Sequence, residues 1–217
     1  MKPLSPRYRQ DDGEPLDESV KAYLDKNYLP LLNNLDKIHP KLMVVFSGGN
    51  AVGKSTLSRK IEKELGAVVI ENDEIKRCLK DLLHTIDANI LSPITWKYAM
   101  EVYLRLPELT QNGLVVRDGV IDWYFDRLLP MFNELGYELF IVGYDVSREK
   151  NVELIEKRGD TPTFRKDRAH LLFDDHDIHI KRFREQYTPD IMLDDDNLFD
   201  HDRVIAAIRQ RLSQQEV

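Results

Sequence analysis

Residues 46–56 read FSGGNAVGKST and continue the apolar run LMVVF, which ends at Phe46. Gly48, four further residues and then Gly53–Lys54–Ser55 fit the pattern G-x-x-x-x-G-K-[ST]. Glycines let successive backbone N–H groups point at phosphate oxygens, and a helix after the pattern directs its positive end to the same place. We therefore expect a nucleoside triphosphate site, and we disfavour the alternative of a purely structural glycine-rich turn.

The pattern also assigns roles within this stretch. Lys54 is expected to reach the β and γ phosphates, and the Ser55 hydroxyl is expected to bind Mg²⁺. The expected nucleotide-binding residues are Gly48, Gly49, Asn50, Ala51, Val52, Gly53, Lys54, Ser55 and Thr56.

Phosphoryl chemistry needs an acidic group near the magnesium ion. Asp118 ends the apolar segment GLVVRD (113–118), so we expect it to be the second magnesium-binding residue; the alternative is an ordinary acidic turn. Asp122, four residues later, is a candidate for contact with the substrate instead.

Composition narrows the class of protein. The chain has 217 residues, 42% hydrophobic and 32% charged, which suits one α/β domain or a domain with an appendage. The formal net charge of -7 argues against a nucleic-acid partner, although it leaves room for a local basic groove. The single cysteine, Cys78, rules out a disulfide framework, and apolar runs as short as LMVVF fall far below the roughly 20 residues of a membrane span. We expect a cytoplasmic protein.

From residue 40 onward, predicted strands alternate with predicted helices. The strands are predicted at 42–47, 67–71, 113–118, 137–145 and 189–193. The helices are predicted at 54–65, 73–84, from Ser92–Pro93 toward residue 112, at 122–135, from Ser147 to Gly159, at 174–187 and at 202–213, with 160–170 basic and irregular. This alternation predicts an α/β protein with a five-stranded parallel sheet, and the G-x-x-x-x-G-K-[ST] pattern after the first strand adds the expectation of a three-layer P-loop NTPase fold.

The first 39 residues have a different pattern. Residues 1–15 read as a loose polar arm, and an apolar helical stripe then runs from Val20 through Leu24 and Tyr28 to Ile38. Pro30 predicts a kink or two short helices. We expect this extension, residues 1–39, to pack on the nucleotide-binding domain formed by residues 40–217; a dimer interface is the alternative.

The order FSGGNAVGKST, VVIENDEIKR, LVVRDG and KRGDTPTFRKDR resembles that of the P-loop kinases of small molecules and of polynucleotide ends. This group includes polynucleotide 5′-hydroxyl kinases, chloramphenicol phosphotransferases and zeta-toxin-like kinases. The chain is most similar to the AAA-type or zeta-like members, over about residues 40–212. The resemblance implies that ATP and Mg²⁺ are used to phosphorylate a hydroxyl group.

The resemblance also implies further site residues. In these families an aspartate after the second strand deprotonates the acceptor hydroxyl, and Asp73 matches it; the alternative is that Asp73 caps the following helix. Their common D-x-x-R pattern is not met, because Lys76 stands three residues on and Arg77 follows. A mobile lid implied at about 158–170 contains Arg158, Arg165 and Arg168, and a solvated basic surface is the alternative for each. The loop after the fifth strand, LDDD (193–196), is implied to lie near the adenine.

Some other side chains leave two interpretations open. Asp175 and His179 lie four residues apart, so a metal site is conceivable, but a solvated helix face is favoured. Trp96, Tyr98 and Tyr103 either line an acceptor pocket or lie in the core, with the core favoured. Trp123 and Tyr124 follow the predicted Asp118 site, and one of them is a candidate for facing the acceptor.

The expected function is therefore a kinase that acts on a small-molecule hydroxyl, such as that of a nucleoside, a sugar nucleotide or an antibiotic-like compound. A nucleotide-driven ATPase switch with a protein partner is one alternative, and a 5′-hydroxyl polynucleotide kinase is another. Because no N-K-x-D motif is present, a guanine nucleotide is disfavoured. The sequence leaves the acceptor and the oligomeric state open.

Overall fold

The computed structural model describes residues 15–161, 166–171 and 173–215, and for residues 168, 169 and 171 it describes the backbone alone. Contacts divide the chain into two compact units. The first unit extends up to Leu32 and includes Glu71–Glu108, whereas the second comprises Asn33–Ile70 and the chain from Leu109 onward. The predicted division at residue 39, into an extension and a kinase domain, stays a prediction.

The sheet has the predicted five parallel strands. They are β1 (His39–Ser47), β2 (Val68–Glu71), β3 (Asn112–Val120), β4 (Glu138–Asp145) and β5 (Ile191–Asp194). Their spatial order is β2-β3-β1-β4-β5, so β1 lies at the centre between β3 and β4. The carboxyl end of β1 therefore opens at the middle of the sheet edge, where ligands bind in open α/β sheets.

Helices connect these strands. Their bounds are α1 (Glu18–Asn27), α2 (Lys54–Leu65), α3 (Asn72–Leu83), α4 (Ala88–Leu109), α5 (Phe125–Glu134), α6 (Arg148–Arg158), α7 (Lys166–Leu171), α8 (Phe173–Arg184) and α9 (His201–Gln215). A short 3-10 turn covers Leu29–Leu31. Most bounds agree with the predicted ones within a few residues.

The core of the second unit follows the alternation of its strands. Leu42, Val44 and Phe46 of β1 belong to one buried cluster with side chains of α2 and α9, such as Ile61 and Ile208. The intervening residues of β1 are also fully buried, because helices cover both faces of the sheet and α5 contacts β4. This is the predicted three-layer arrangement.

Three predicted helix ends are confirmed. Gly66 follows α2 with a left-handed φ of 69° and donates its N–H to the carbonyl of Glu62. The Ser147 hydroxyl accepts the N–H of Lys150 at the start of α6, and Gly159 follows the end of that helix.

The predicted start of the fourth helix was wrong. Ser92 and Pro93 lie inside α4 rather than at its first turn. Asp87 provides the actual start, because its side chain accepts the N–H of Asn89 at 2.8 Å and its carbonyl accepts that of Leu91. Pro93 lies in the second turn of α4, where it cannot donate to the carbonyl of Asn89 and so costs the helix one hydrogen bond.

The first unit packs around the N-terminal helix. Leu24 is fully buried, and the ring of Tyr28 meets that of Tyr98 edge-on at 5.8 Å. Tyr98, Trp96 and Tyr103 are all buried, so they belong to the core. The two short helices predicted from Pro30 are confirmed, but the stripe does not continue to Ile38, which is 77% exposed.

The segment that was predicted to be irregular contains a helix. Residues 166–171 form α7, whose first N–H, that of Lys166, is accepted by the side chain of Asp160 at 2.8 Å. Glu156 on α6 binds both Lys166 and His170, which holds the two helices together. Within the described residues, no helix is both long enough and apolar enough to cross a bilayer.

Candidate active site

The loop between β1 and α2 has the backbone that its glycines predict. Gly48 has a φ of 142°, and a Cβ atom at this position would lie 2.6 Å from Cβ of Tyr144 on β4. Gly53 has a φ of 94°, and α2 begins at the next residue. The loop therefore needs glycine at both positions, and the first N–H groups of a twelve-residue helix face its mouth.

Helix α6 contacts the middle of the loop through the side chain of Asn151. The Asn151 side chain donates to the carbonyl of Asn50 at 2.5 Å, although 101 residues separate them in sequence. A Cβ atom on Gly49 would lie 3.0 Å from Oδ1 of the same asparagine. Asn151 thus fixes the middle of the loop, a role that the sequence did not reveal.

Lys54 folds back into the loop. Its Nζ donates to the carbonyl of Gly49 and lies 5.8 Å from the centre of the Tyr144 ring. Desolvation lowers the pKa of Lys54 to about 8, and the positive charge of Arg158 acts in the same direction, whereas the carboxylates of Asp118 and Asp122 oppose it. A desolvated ammonium group close to the backbone N–H groups of the loop is suited to contact a triphosphate.

The side chains of Ser55 and Asp118, the two predicted magnesium-binding residues, are in contact. The Ser55 hydroxyl donates to Oδ1 of Asp118 at 3.2 Å. Asp118 does not end β3, however. The register passes from Val44 opposite Val116 to Phe46 opposite Val120, so β3 bulges around Asp118. A hydroxyl and a carboxylate side by side are the oxygen donors that Mg²⁺ accepts in P-loop proteins, so these residues fit that ion.

Asp122 lies beneath the loop. It is only 1% exposed, and its Oδ2 accepts the N–H of Gly48 at 2.8 Å. Burial raises the pKa of Asp122, while the neighbouring Ser47 hydroxyl, the Gly48 N–H and the charges of Lys54 and Arg184 act in the opposite direction. Asp122, which was a candidate for contact with the substrate, therefore contacts the loop.

The three arginines of the implied lid are described to different extents. Arg158 ends α6, is exposed at the surface and is close enough to Lys54 for its charge to lower the pKa of that lysine. The backbone of Arg168 lies in α7, and Arg165 lies outside the described residues. The described side chain of Arg158 thus lies near the loop.

Asp73 lies in the first turn of α3. The helix begins at Asn72 and its N-cap residue is Glu71, so the alternative that Asp73 is the cap was wrong. Lys76 Nζ lies 3.3 Å from Oδ1 of Asp73, whereas Arg77 binds Glu74. The Asp73 carboxylate stays 48% exposed.

A cleft of about 520 Å³ adjoins the loop. It is lined by Gly49 and Asn50, by the end of β4 and by residues of α6 and α8. Arg184 crosses its floor, donating to the carbonyl of Tyr144 at 2.7 Å and to Asp145 at 2.8 Å. His176 also lines the cleft, and burial lowers its pKa to about 4. Sequence reasoning identified neither Arg184 nor His176.

The predicted solvated face of α8 was wrong for His179. Its ring is 5% exposed and lies 3.9 Å, centre to centre, from the ring of Trp123, while Asp175 remains exposed. In the parts of the chain that are described, no group of three or more His, Cys, Asp or Glu side chains could hold a metal. His179 is therefore a packing residue, and Trp123 is its partner.

Phe199 is an exposed aromatic residue beside the loop. It follows β5, is 60% exposed, and its Cε1 would lie 3.6 Å from a Cβ atom placed on Gly53. The loop after β5, which the resemblance places near the adenine, thus presents an aromatic face next to the start of α2.

Comparison with known proteins identifies the family. The chain belongs to the AAA domain family, whose sequence model matches residues 43–176. No curated protein matches the sequence.

Solved structures with a similar fold are known. The chain is similar to one from the PezAT chromosomal toxin–antitoxin system of the human pathogen Streptococcus pneumoniae, with 18% identity and a TM-score of 0.60, over 85% of this chain and 81% of that one. It is also similar to a gluconokinase from Sinorhizobium meliloti 1021, with 18% identity and a TM-score of 0.50, over 82% and 96%. The fold is thus that of P-loop kinases, as the motif order implied.

Proposed function

We propose that this protein is an ATP-dependent kinase that transfers the γ-phosphoryl group to a hydroxyl of a small molecule. The observation that carries the proposal is the Ser55–Asp118 contact at the mouth of a glycine loop that leads into a helix. Three parts of a phosphoryl-transfer site meet there: backbone donors, a lysine, and a hydroxyl beside a carboxylate.

The loop would bind the triphosphate. The backbone from Gly48 to Thr56 directs N–H groups to the phosphates, and Lys54 exchanges its bond to the Gly49 carbonyl for the β and γ oxygens. Ser55 and Asp118 would hold Mg²⁺, which when bound neutralises charge on the phosphates. Because Phe199 is exposed beside Gly53, we propose that it contacts the adenine base of ATP, which would stack on its ring.

Asp73 is proposed as the general base. A carboxylate that is 48% exposed can reach an incoming alcohol, and its pairing with Lys76 orients it. The acceptor's hydroxyl proton would pass to Asp73 as its oxygen attacks phosphorus, and the bond from the γ-phosphorus to the β–γ bridging oxygen would break.

The arginines of the lid would stabilise the transferring group. The charge of Arg158 lowers the pKa of Lys54, and this nearness supports a role in which its guanidinium would share the negative charge of the phosphoryl oxygens. Arg165 and Arg168 remain proposed partners in this role. Closure of such a segment excludes water and favours transfer over hydrolysis.

The acceptor is proposed to be a small molecule rather than a polynucleotide. The net charge of -7 disfavours binding to a polyanion. The fold is shared with a gluconokinase, whose name specifies a small hydroxylated substrate, and this supports the same class here.

ADP formation tests the proposal. The protein is incubated with ATP and Mg²⁺ alone, with a small-metabolite extract, or with 5′-hydroxyl oligonucleotides. We expect the extract to increase ADP formation, the oligonucleotides to leave it unchanged, and Lys54→Ala to abolish the increase. Stimulation by the oligonucleotides alone would instead indicate a polynucleotide kinase, and ADP formation that no acceptor increases would indicate an ATPase switch.

A further inference from the structure

Gly48, the first residue of the phosphate loop, is held from two sides. On one side Tyr144 of β4 lies so close that a Cβ atom on Gly48 would be 2.6 Å from its Cβ atom. On the other side the Asp122 carboxylate accepts the Gly48 N–H at 2.8 Å. The glycine therefore has little freedom to move, and only one of the two restraints is a hydrogen bond.

Both restraints are braced by further contacts. Arg184 binds the Tyr144 carbonyl and the Asp145 carboxylate, which fixes the end of β4. Its charge, together with that of Lys54, favours the ionised form of Asp122. A buried carboxylate is costly unless charges and donors compensate it, and these neighbours supply that compensation.

The Asp122 carboxylate is only partly satisfied by hydrogen bonds. Its Oδ1 is buried and has no hydrogen-bond partner in the described parts of the chain, and the adjacent Ser47 hydroxyl is also buried without a well-formed bond. If a buried carboxylate served only packing, its replacement by an apolar side chain would stabilise the protein. Its position beneath the loop points to a role in the site.

We propose that Asp122 is a positioning residue of the nucleotide site, which holds Gly48, and through it the phosphate loop, in the conformation that binds the triphosphate. This inference rests on the proposed function. If the loop populates its binding conformation only part of the time, the apparent dissociation constant rises by the inverse of that fraction. Asp122 would keep that fraction high in the empty protein.

An asparagine variant separates the effect of the hydrogen bond to Gly48 from that of the negative charge of Asp122. Asp122→Asn keeps an oxygen that can accept the Gly48 N–H but removes the negative charge. Asp122→Ala removes both and leaves the buried Gly48 N–H without an acceptor.

A control of similar chemistry lies elsewhere in the second unit. Asp190 also accepts a backbone N–H, that of Ile141 at 2.8 Å, and binds an arginine, Arg211. Asp190→Ala should therefore destabilise the protein in a comparable way without touching the loop.

Two measurements on the four proteins, each confirmed as folded by circular dichroism, test the inference. Calorimetry gives the dissociation constant of a non-hydrolysable ATP analogue, and NMR of glycine-labelled protein gives hydrogen exchange at the Gly48 amide. We expect Asp122→Ala to raise the dissociation constant about tenfold or more and to speed exchange at Gly48. Asp122→Asn and Asp190→Ala should stay within about threefold of the wild type in affinity and keep Gly48 protected.

Several results would overturn the inference. Wild-type affinity in Asp122→Ala would do so. So would a loss in Asp190→Ala equal to that in Asp122→Ala, since the effect would then be general destabilisation. Weak binding by Asp122→Asn with Gly48 still protected would show that charge, not position, matters. If the wild type does not bind the analogue, the proposed function fails together with the inference, whereas differences among the variants test the inference alone.

Discussion

The hydroxyl of Ser55 lies 3.2 Å from Oδ1 of Asp118, across 63 residues of sequence. This contact joins the first turn of α2 to the bulge of β3, so that a hydroxyl oxygen and a carboxylate oxygen lie side by side. Because Mg²⁺ is bound in such sites by few protein oxygens and by the phosphates, each protein oxygen should affect its affinity strongly.

The first prediction concerns Asp118. Asp118→Asn should raise the Mg²⁺ concentration needed for half-maximal ATP turnover by about tenfold or more, because a neutral amide oxygen binds the ion less well than a carboxylate. A magnesium titration of ADP formation measures this. Asp36→Asn, at an exposed position of the second unit, is the control and should titrate like the wild type. An unchanged titration in Asp118→Asn would remove this residue from the site.

The second prediction concerns the contact between Phe199 and the adenine base of ATP. Phe199→Ala should weaken ATP binding by about fivefold or more, because stacking of one base on an aromatic ring contributes about 1–3 kcal/mol. Binding of inorganic tripolyphosphate, which has no base, should not change. Ile178→Ala is a matched control, since Ile178 is 63% exposed and Phe199 is 60% exposed. Equal losses for ATP and tripolyphosphate would contradict the stacking role.

The third prediction concerns the pH dependence of stability. Burial, and then the charges of Lys54 and His179, lower the pKa of His176 to about 4, from 6.5. As the pH falls, the unfolded chain takes up this proton before the folded protein does, so His176 makes the folded state lose stability between pH 6.5 and 4. The loss attributable to His176 should approach about 3 kcal/mol.

Urea unfolding at a series of pH values measures that loss. His176→Gln should reduce the slope of the unfolding free energy against pH in this window. His84→Asn, at an exposed position with a left-handed φ that asparagine tolerates, should keep the wild-type slope. A His176→Gln variant with the wild-type slope would show that His176 is not shielded from solvent as the structure indicates.

The fourth prediction concerns the first unit. Asp25 accepts hydrogen bonds from Lys21 at 2.9 Å, from Tyr98 at 2.9 Å and from Arg105 at 2.7 Å. Asp25→Ala leaves these part-buried donors unpaired and should lower the free energy of unfolding by about 1–3 kcal/mol. Urea denaturation checks this, with the exposed Asp81→Ala on α3 as the control. Equal stability of the two variants would mean that α1 is held by apolar contacts alone.

The sequence predicted what depends on neighbouring residues. The glycine loop, the Gly66 end of α2 and the Ser147 cap of α6 each depend on a few consecutive residues, so their geometry follows from local rules. The alternation of apolar runs with helical patterns was enough to predict the parallel sheet. The contact between Ser55 and Asp118 was expected because Ser55 follows β1, Asp118 lies near the carboxyl end of β3, and both strand ends lie at the same sheet edge.

Features that depend on distant partners could not be predicted. His179 was expected on a solvated helix face because the sequence offered no clear third metal ligand, but Trp123, from another part of the chain, covers it. Asn151 reaches the loop only because α6 crosses it. Ser92–Pro93 and Asp87 both fit the start of a helix. The structure shows that α4 begins after Asp87.

The fate of the γ-phosphoryl group tests the central claim most directly. Wild-type protein, Lys54→Ala and Asp73→Asn are incubated with γ-labelled ATP, Mg²⁺ and a small-metabolite extract, and the label is separated into metabolites and free phosphate. We predict label on a metabolite in the wild type and its loss in both variants. Label released only as free phosphate, at a rate that Asp73→Asn does not change, would contradict the assignment of this protein as a kinase with Asp73 as its base.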